Sequence, residues 1–399
     1  MKHNVQFEGR PVWAEVSLGA LDHNLRAIRR HINGSSRRGG PKILAVVKAN
    51  AYGLGAVPVA KTLAMAGADW FGVTSTAEGA ELREAGIRQP ILVLTGFWPG
   101  EERRLLQYRL TPAITECEQL GLLERAAASF GSARGQRARS GPVGFHLKID
   151  TGMNRLGIRA SDAECFARAL GDCPHLRLEG TFTHFASAEV FTVRQTEAQQ
   201  KRFSEALERL RALHLRPGLV HLANSAAVAA RPESWADMVR PGAILYGYHQ
   251  FYDPAERKKE MEAKLPLQTA LSLRTRIISL RDVAPGEGVG YNARFVAPRT
   301  SRIAVLAAGY ADGLPRNLAN RGRVIVRGQF APLVGTISMD LAMIDVTRIE
   351  GARLGDVVTI YGADGSAAQQ VSEVAHELGT VTSDLLCALG QRVPRFYLS

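Results

Sequence analysis

The segment Ile43-Leu44-Ala45-Val46-Val47-Lys48-Ala49-Asn50-Ala51-Tyr52-Gly53-Leu54-Gly55 sets five apolar residues directly before a lysine and closes on two glycines. A short continuous apolar run of this kind reads as a strand buried on both faces. Lys48 then stands at the strand's end. A lysine there is partly desolvated, which favours the neutral amine required for a Schiff base with an aldehyde. The competing reading is a strand-end lysine that snorkels to solvent.

Working outward, similar runs recur at Trp70–Thr74, Ile91–Thr95, Thr111–Ile114, Val143–Ile149, Leu178–His184, Leu219–Ala223 and Gly242–Gly247. Segments of helical period lie between them, among them Val57–Ala66, Ala77–Ala85, Glu116–Ala128 and Arg194–Leu213. Eight strands alternating with helices predict an α/β fold, a (β/α)8 TIM-type barrel. The pattern changes near residue 266, after the charged helical segment Lys258–Lys264. Beyond it come β-rich runs at Ala270–Leu280, Arg302–Ala308, Arg323–Val326, Ala342–Val346 and Val357–Ile360, punctuated by Pro285-Gly286 and Gly362-Ala363-Asp364-Gly365. The expected organisation is therefore a barrel over residues 1–265 and a mostly β C-terminal domain over residues 266–399. The run Val12–Leu18 precedes the first barrel helix, which leaves residues 1–18 open to pairing with the later domain.

Bulk composition narrows the function classes. The chain has 399 residues, 46% hydrophobic and 22% charged, enough for full cores. No run approaches the roughly 18 apolar residues of a membrane span, and Met1–Arg10 lacks the apolar core of a signal peptide. Cys117, Cys165, Cys173 and Cys387 show no CxxC spacing, so reduced thiols in a cytoplasmic setting are expected and no metal site is. The formal charge is +12, from 50 Lys and Arg against 38 Asp and Glu. Its densest stretch is Arg26, Arg29, Arg30, Arg37, Arg38 and Lys42, beside Gly34 to Gly40. A basic helix end followed by a loop accounts for it, with no aromatic interleaving to mark a nucleic-acid surface.

Active sites of such barrels form at the C-terminal ends of the strands. The fifth run leads through Lys148, Asp150 and Gly152 to Arg155, which is suited to clamp a carboxylate. Lys148 would point into the barrel, where an unpaired ammonium is costly. His184 ends the sixth run and reads either as an orienting group or as a hydrogen-bonded structural histidine. In the seventh, Asn224 or Ser225 could cap the next helix, whose N-terminus could also hold a phosphate. Near the eighth, Arg240-Pro241-Gly242-Ala243 allows close backbone approach to a ligand. A strand-end lysine, a phosphate-type turn and several cations fit a cofactor that carries an aldehyde and a phosphate, as pyridoxal phosphate does.

The segments AVVKANAYGLG (45–55), KIDTGMNRLG (148–157), THFA (183–186), NSAA (224–227), RPGAILYG (240–247), Gly290-Tyr291, GYADG (309–313), ISMD (337–340) and RVPRFY (392–397) occur in order along nearly the whole chain. In them the sequence resembles the alanine racemase family, which uses pyridoxal 5'-phosphate. The resemblance implies that Lys48 binds the cofactor covalently and serves as one proton-transfer base, with Tyr291 as the opposed base, supplied by the other subunit of a homodimer. It implies that Arg240 faces the pyridine nitrogen and that His184 supports Tyr291. It assigns Tyr52, Ser225, Gly242, Ala243 and Tyr397 to the phosphate, with Asn224 beside them. Arg155 and the backbone of Met339 would address the substrate carboxylate, while Tyr310 and Glu189 line the entry. Lys148 matches a lysine that is carbamylated in some members.

Racemisation removes a proton from one face of Cα and returns one to the other, so two opposed bases are the direct solution. A free tyrosine titrates near pH 10, and a tyrosine base therefore needs nearby cations or hydrogen bonds. This chain departs from common family residues at Leu54, Thr336 and Ser338, where histidine, arginine and cysteine are frequent. The implied activity is interconversion of L- and D-alanine for peptidoglycan. A broader amino-acid racemase and a pyridoxal phosphate-dependent decarboxylase are the alternatives.

Overall fold

The structure, a computed structural model, describes residues 9–34, 40–130 and 141–399. Arg37 and Arg38 of the basic stretch and residues 1–8 of the amino-terminal segment lie outside the described residues. The chain forms two compact units. One comprises Leu21–Ala51 and Ala56–Gln268. The other comprises the chain up to Ala20, Tyr52–Gly55 and Thr269–Ser399.

The β-rich unit contains β1, Val12–Ser17, which pairs antiparallel with the long strand Leu271–Val283 and parallel with Arg395–Leu398. The alternation of Trp13, Glu15 and Arg274 places an ion pair on one face, Arg274 Nε to Glu15 Oε2 at 2.9 Å. Helix α1, Leu18–Asn33, leads into the barrel unit. Its Leu21, Leu25, Ile28 and Ile32 recur at helical spacing and are all buried.

The barrel strands are β2 (Lys42–Val46), β3 (Trp70–Val73), β4 (Ile91–Val93), β5 (Thr111–Ile114), β6 (Val143–Asp150), β7 (Leu176–Phe182), β8 (Leu219–His221) and β9 (Met238–Val239). Each pairs in parallel with the next through β8, and β9 pairs in parallel with β2. The Asp237 N–H reaches the Val220 carbonyl at 3.0 Å and draws β9 against β8. Helices run between the strands, including α2 (Ala56–Met65), α3 (Thr76–Glu84) and α4 (Gln195–Ala212). The eighth strand is not Gly242–Gly247. That run is wound as a short 3-10 turn over Ala243–Tyr246, closed by left-handed Gly247. Pro241 has no N–H for a ladder and Gly242 gives its own to Ser225 Oγ. The strand is the two-residue segment just before.

Strand β6 shows why the barrel interior is polar. Phe145, on its outer face, packs against Phe166 of a covering helix. His146 and Lys148 alternate to the inside. There His146 meets Trp70 and His221, while His221 stacks on Phe182 at 4.7 Å. Gly180 makes the space: a Cβ at that position would lie 2.6 Å from the His146 ring.

In the β-rich unit, a hairpin pairs Gly288–Val289 with Phe295–Val296 over a small core of Val289, Ala297, Ile303 and Val334. It carries Tyr291 at its tip. The sheet continues through Ser301–Leu306 and Ala342–Asp345 on one side and through Val357–Asp364 and Arg323–Val326 on another.

Candidate active site

Immediately after β2 the backbone reverses hand. Ala49, Asn50, Ala51 and Tyr52 all have φ between 53 and 55°. This left-handed turn directly follows Lys48, and for L-residues it costs about 1–2 kcal/mol per residue. Local bonds hold it. The Ala51 N–H donates to Val47 at 2.9 Å, Asn50 Oδ1 accepts from the Ala56 N–H at 2.7 Å, and Glu78 Oε1 accepts from the Ala49 N–H at 2.6 Å. The turn ends the strand sharply and leaves the half-buried Lys48 at the C-terminal face of the barrel.

Arg240 is the best-fastened cation of the barrel. Its guanidinium is buried and donates to the carbonyls of Thr183 (2.7 Å), His221 (2.9 Å) and Leu222 (3.0 Å). It also donates to His221 Nδ1 at 3.0 Å and His184 Nδ1 at 3.2 Å. Arginine only donates, so both imidazoles accept there and carry their proton on Nε2. His221 Nε2 therefore donates to His146 Nδ1 at 2.8 Å, and the His146 proton is left on Nε2, which has no partner. Burial, then the charge of Arg240, holds His146 down at about 3 and keeps His184 and His221 well below the ordinary histidine range. Two neutral imidazoles thus bond to the cation, and a third stands behind His221. Burial lowers Arg240 itself to about 9, still protonated at neutral pH.

Lys148 is buried beside this group, its Nζ 5.6 Å from the centre of the Phe182 ring. Burial, then Arg155 and Arg240, brings it down to about 8, against the opposing pull of Asp150. Asp150 Oδ1 accepts three successive N–H groups, from Gly152, Met153 and Asn154, and so shapes the turn that presents exposed Arg155. Among the described residues, none of Lys48, Lys148, Arg155 and Arg240 makes a salt bridge. Lys148 binds fewer protons folded than unfolded between about pH 8 and its ordinary 10.5, so its contribution to stability rises with pH through that window. In carbon dioxide-free buffer, Lys148→Met is expected to raise stability at pH 7 by on the order of 3 kcal/mol. The gain should fade toward pH 10 in denaturation curves. A variant less stable than wild type at every pH would contradict this.

Near β8 and β9, Asn224 caps a short helix by accepting from the Ala227 N–H at 3.1 Å, and Ser225 Oγ accepts from Gly242 at 2.8 Å. Ser225 and Ala226 begin that helix, so their N–H groups have no carbonyl four residues back within it. Ala243 similarly opens the 3-10 turn. Gln199 of α4, fully buried, was not legible as a site residue. It donates to Thr151 Oγ1 and the His184 carbonyl, and accepts from the Ala186 N–H, joining the ends of β6 and β7.

Except for Glu189, the remaining residues belong to the β-rich unit. Tyr52–Gly55 cluster there, although their sequence lies inside the barrel. Arg395 donates to the Gly53 carbonyl and Tyr397 Oη to that of Leu54 at 3.1 Å. The one hydroxyl proton of Tyr397 serves one acceptor at a time. Tyr291 is 70% exposed, so it is not a packing aromatic of its hairpin. Gly290 before it sits at φ 73°, where a Cβ would lie 2.6 Å from Met343 Cε, and buried Thr336 donates through Oγ1 to the Tyr291 carbonyl at 3.2 Å. Tyr310 and Met339 lie on two interlocked loops. The Tyr310 N–H reaches Ser338 and the Ala311 N–H reaches Met339. Asp312, fully buried, anchors both loops by accepting from Gly309 and Arg392, and Arg392 also donates to the Met339 carbonyl. Glu189 lends its carbonyl to the Asp253 N–H in the barrel unit. Among the described residues there is no metal-binding cluster, and no helix is long and apolar enough to cross a membrane.

Comparison with known proteins adds independent findings. Residues 16–250 match the model of the alanine racemase N-terminal domain, and residues 270–397 that of the alanine racemase C-terminal domain. A relative named alanine racemase from Geobacter sulfurreducens is 41% identical, covering 98% of this chain and 98% of its own. The biosynthetic alanine racemase structure from Pseudomonas aeruginosa is 36% identical with a TM-score of 0.82, covering 98% of this chain and 100% of its own. The structure from Bacillus anthracis with bound L-Ala-P is 32% identical with a TM-score of 0.85, covering 99% and 96%.

Proposed function

Because the chain belongs to the alanine racemase family, we propose that it interconverts L- and D-alanine with pyridoxal phosphate as cofactor. The observation that carries this reading is Lys48, an amine at a barrel strand end beside Lys148, Arg155 and Arg240, none of them neutralised by a salt bridge among the described residues. The donor set suits the cofactor. Ser225, Ala226 and Ala243 offer N–H groups for a phosphate, and the family pattern assigns Tyr52, Asn224, Gly242 and Tyr397 to the same group. Arg240, without a carboxylate of its own, suits the ring nitrogen. When bound, the cofactor supplies the aldehyde that takes up the substrate amine and a ring that withdraws electrons from Cα.

The protein's own part is to orient the substrate and move two protons. Arg155 and the Met339 N–H hold the carboxylate. The Met339 carbonyl is already committed to Ala311 and Arg392, so the N–H is the main-chain group of Met339 that we assign to the ligand. Lys48 Nζ takes or gives the proton on one face of Cα, and Tyr291 Oη does so on the other. Arg240 keeps its proton beside neutral imidazoles, so it would offer the ring nitrogen a hydrogen bond without protonating it, and the cofactor held this way would supply a restrained electron sink. The exposed Tyr291 completes the site of the other subunit in a homodimer. Carbamylation of Lys148 would convert a costly cation into an anion able to hold Arg155. Thr336 and Ser338 bear on substrate range. The cytoplasmic supply of D-alanine for peptidoglycan is the setting we assign.

The test is racemisation in deuterated water. L-alanine should yield D-alanine carrying deuterium at Cα, without release of carbon dioxide, and alanine should outrun serine across a panel of amino acids. Release of carbon dioxide would instead indicate a decarboxylase, and equal rates on serine a broader racemase.

A further inference from the structure

We infer that Glu78 is a positioning residue for Lys48, acting through the left-handed turn; the inference rests on the reading of Lys48 given above. Glu78 lies in the first turn of α3, and its carboxylate has two tasks. Oε2 accepts from the N–H groups of Thr74 (2.7 Å) and Ser75 (3.3 Å) and from Thr74 Oγ1 (3.2 Å), while the Ser75 hydroxyl accepts from the Glu78 N–H. That reciprocal pair caps α3, and Oε2 alone suffices for its carboxylate half. Oε1 is left over. It reaches out of the helix to the Ala49 N–H at 2.6 Å.

One carboxylate therefore ties the C-terminal ends of two neighbouring strands, β2 and β3. The bond falls on the residue after Lys48, where the backbone enters its unfavourable hand. An N–H bound to a charged acceptor is among the stronger hydrogen bonds available. Ala49 has no side chain that could fix its own backbone, and it is exposed, so core packing does not hold it in place. The Asn50 and Ala51 bonds hold the middle of the turn and Glu78 holds its entrance.

The experiment compares Glu78→Ala, Glu78→Gln and Ser75→Ala in the full chain. The first readout, hydrogen exchange of the segment spanning residues 47–55 without added cofactor, does not depend on the role of Lys48. Glu78→Ala should speed exchange there and weaken pyridoxal phosphate binding roughly tenfold to a hundredfold, as expected for loss of a hydrogen bond to a charged acceptor. Glu78→Gln has one neutral acceptor oxygen for two tasks, and if that oxygen stays on Ala49 its amide NH2 faces the N–H groups of Thr74 and Ser75, so this variant should fall between wild type and Glu78→Ala. Ser75→Ala should loosen α3 alone. Adding Ala49→Gly to Glu78→Ala should recover part of the binding, because glycine adopts the left-handed conformation without penalty. Wild-type exchange in Glu78→Ala would overturn the inference, as would a loss confined to α3 that Ala49→Gly does not recover. If Lys48→Ala still holds the cofactor covalently, the reading of Lys48 fails while the exchange result at Ala49 stands.

Discussion

Lys48→Ala is expected to fold and to show none of the yellow absorption of lysine-bound pyridoxal, with racemisation at the level of the free cofactor. Loss of a positioned proton-transfer base alone removes roughly 10²–10⁴-fold. Loss of the covalent anchor adds to that, since both tasks are proposed for the same amine. Folding should survive, because Lys48 makes no salt bridge among the described residues and is only half-buried. Absorbance, a thermal melt and turnover of both enantiomers check the three parts separately. Retained yellow colour in a folded variant would place the anchoring amine elsewhere, with Lys148 the first candidate.

Tyr291→Phe removes a single oxygen and leaves the backbone restraints from Gly290 and Thr336 in place. Turnover should fall by roughly 10²–10⁴-fold, and the loss should be lopsided. In deuterated water the enantiomer whose Cα proton faces Lys48 should still exchange that proton without inverting. The other enantiomer should lose exchange and racemisation together. Proton NMR of each enantiomer's Cα signal separates these outcomes. A small, symmetric loss would mean that Tyr291 is no base, and its exposure would then need another explanation.

Most of the architecture was legible because buried parallel strands are uniformly apolar and their helices amphipathic, as at Ile43–Val47 and Leu21 to Ile32. The last barrel strand was not. Met238–Val239 is too short to stand out, while Ala243–Tyr246 is apolar because it is buried, whatever its winding. At the candidate site, Lys48 and Lys148 could be picked out because a charge at the end of or within an apolar run is conspicuous, and Arg155 because it follows a Gly-containing turn at the end of such a run. Glu78 could be read only as half of a capping box with Ser75; its bond to Ala49 depends on two strands lying side by side. The chain from Arg240 through His221 to His146 likewise joins three strands and leaves no local signature. Gln199 looks like any polar residue of a helix face.

The reversed turn after Lys48 also inverts the usual ranking of side chains. In an ordinary helix alanine is the best former and glycine among the worst. Along Ala49, Asn50 and Ala51 the order runs the other way: glycine and asparagine are comfortable, and any branch at Cβ is penalised. Mirror-image residues would find this their natural conformation. A protein whose proposed product is a D-amino acid thus places, just after the lysine proposed to react, two L-alanines held in the backbone shape that D-alanine prefers.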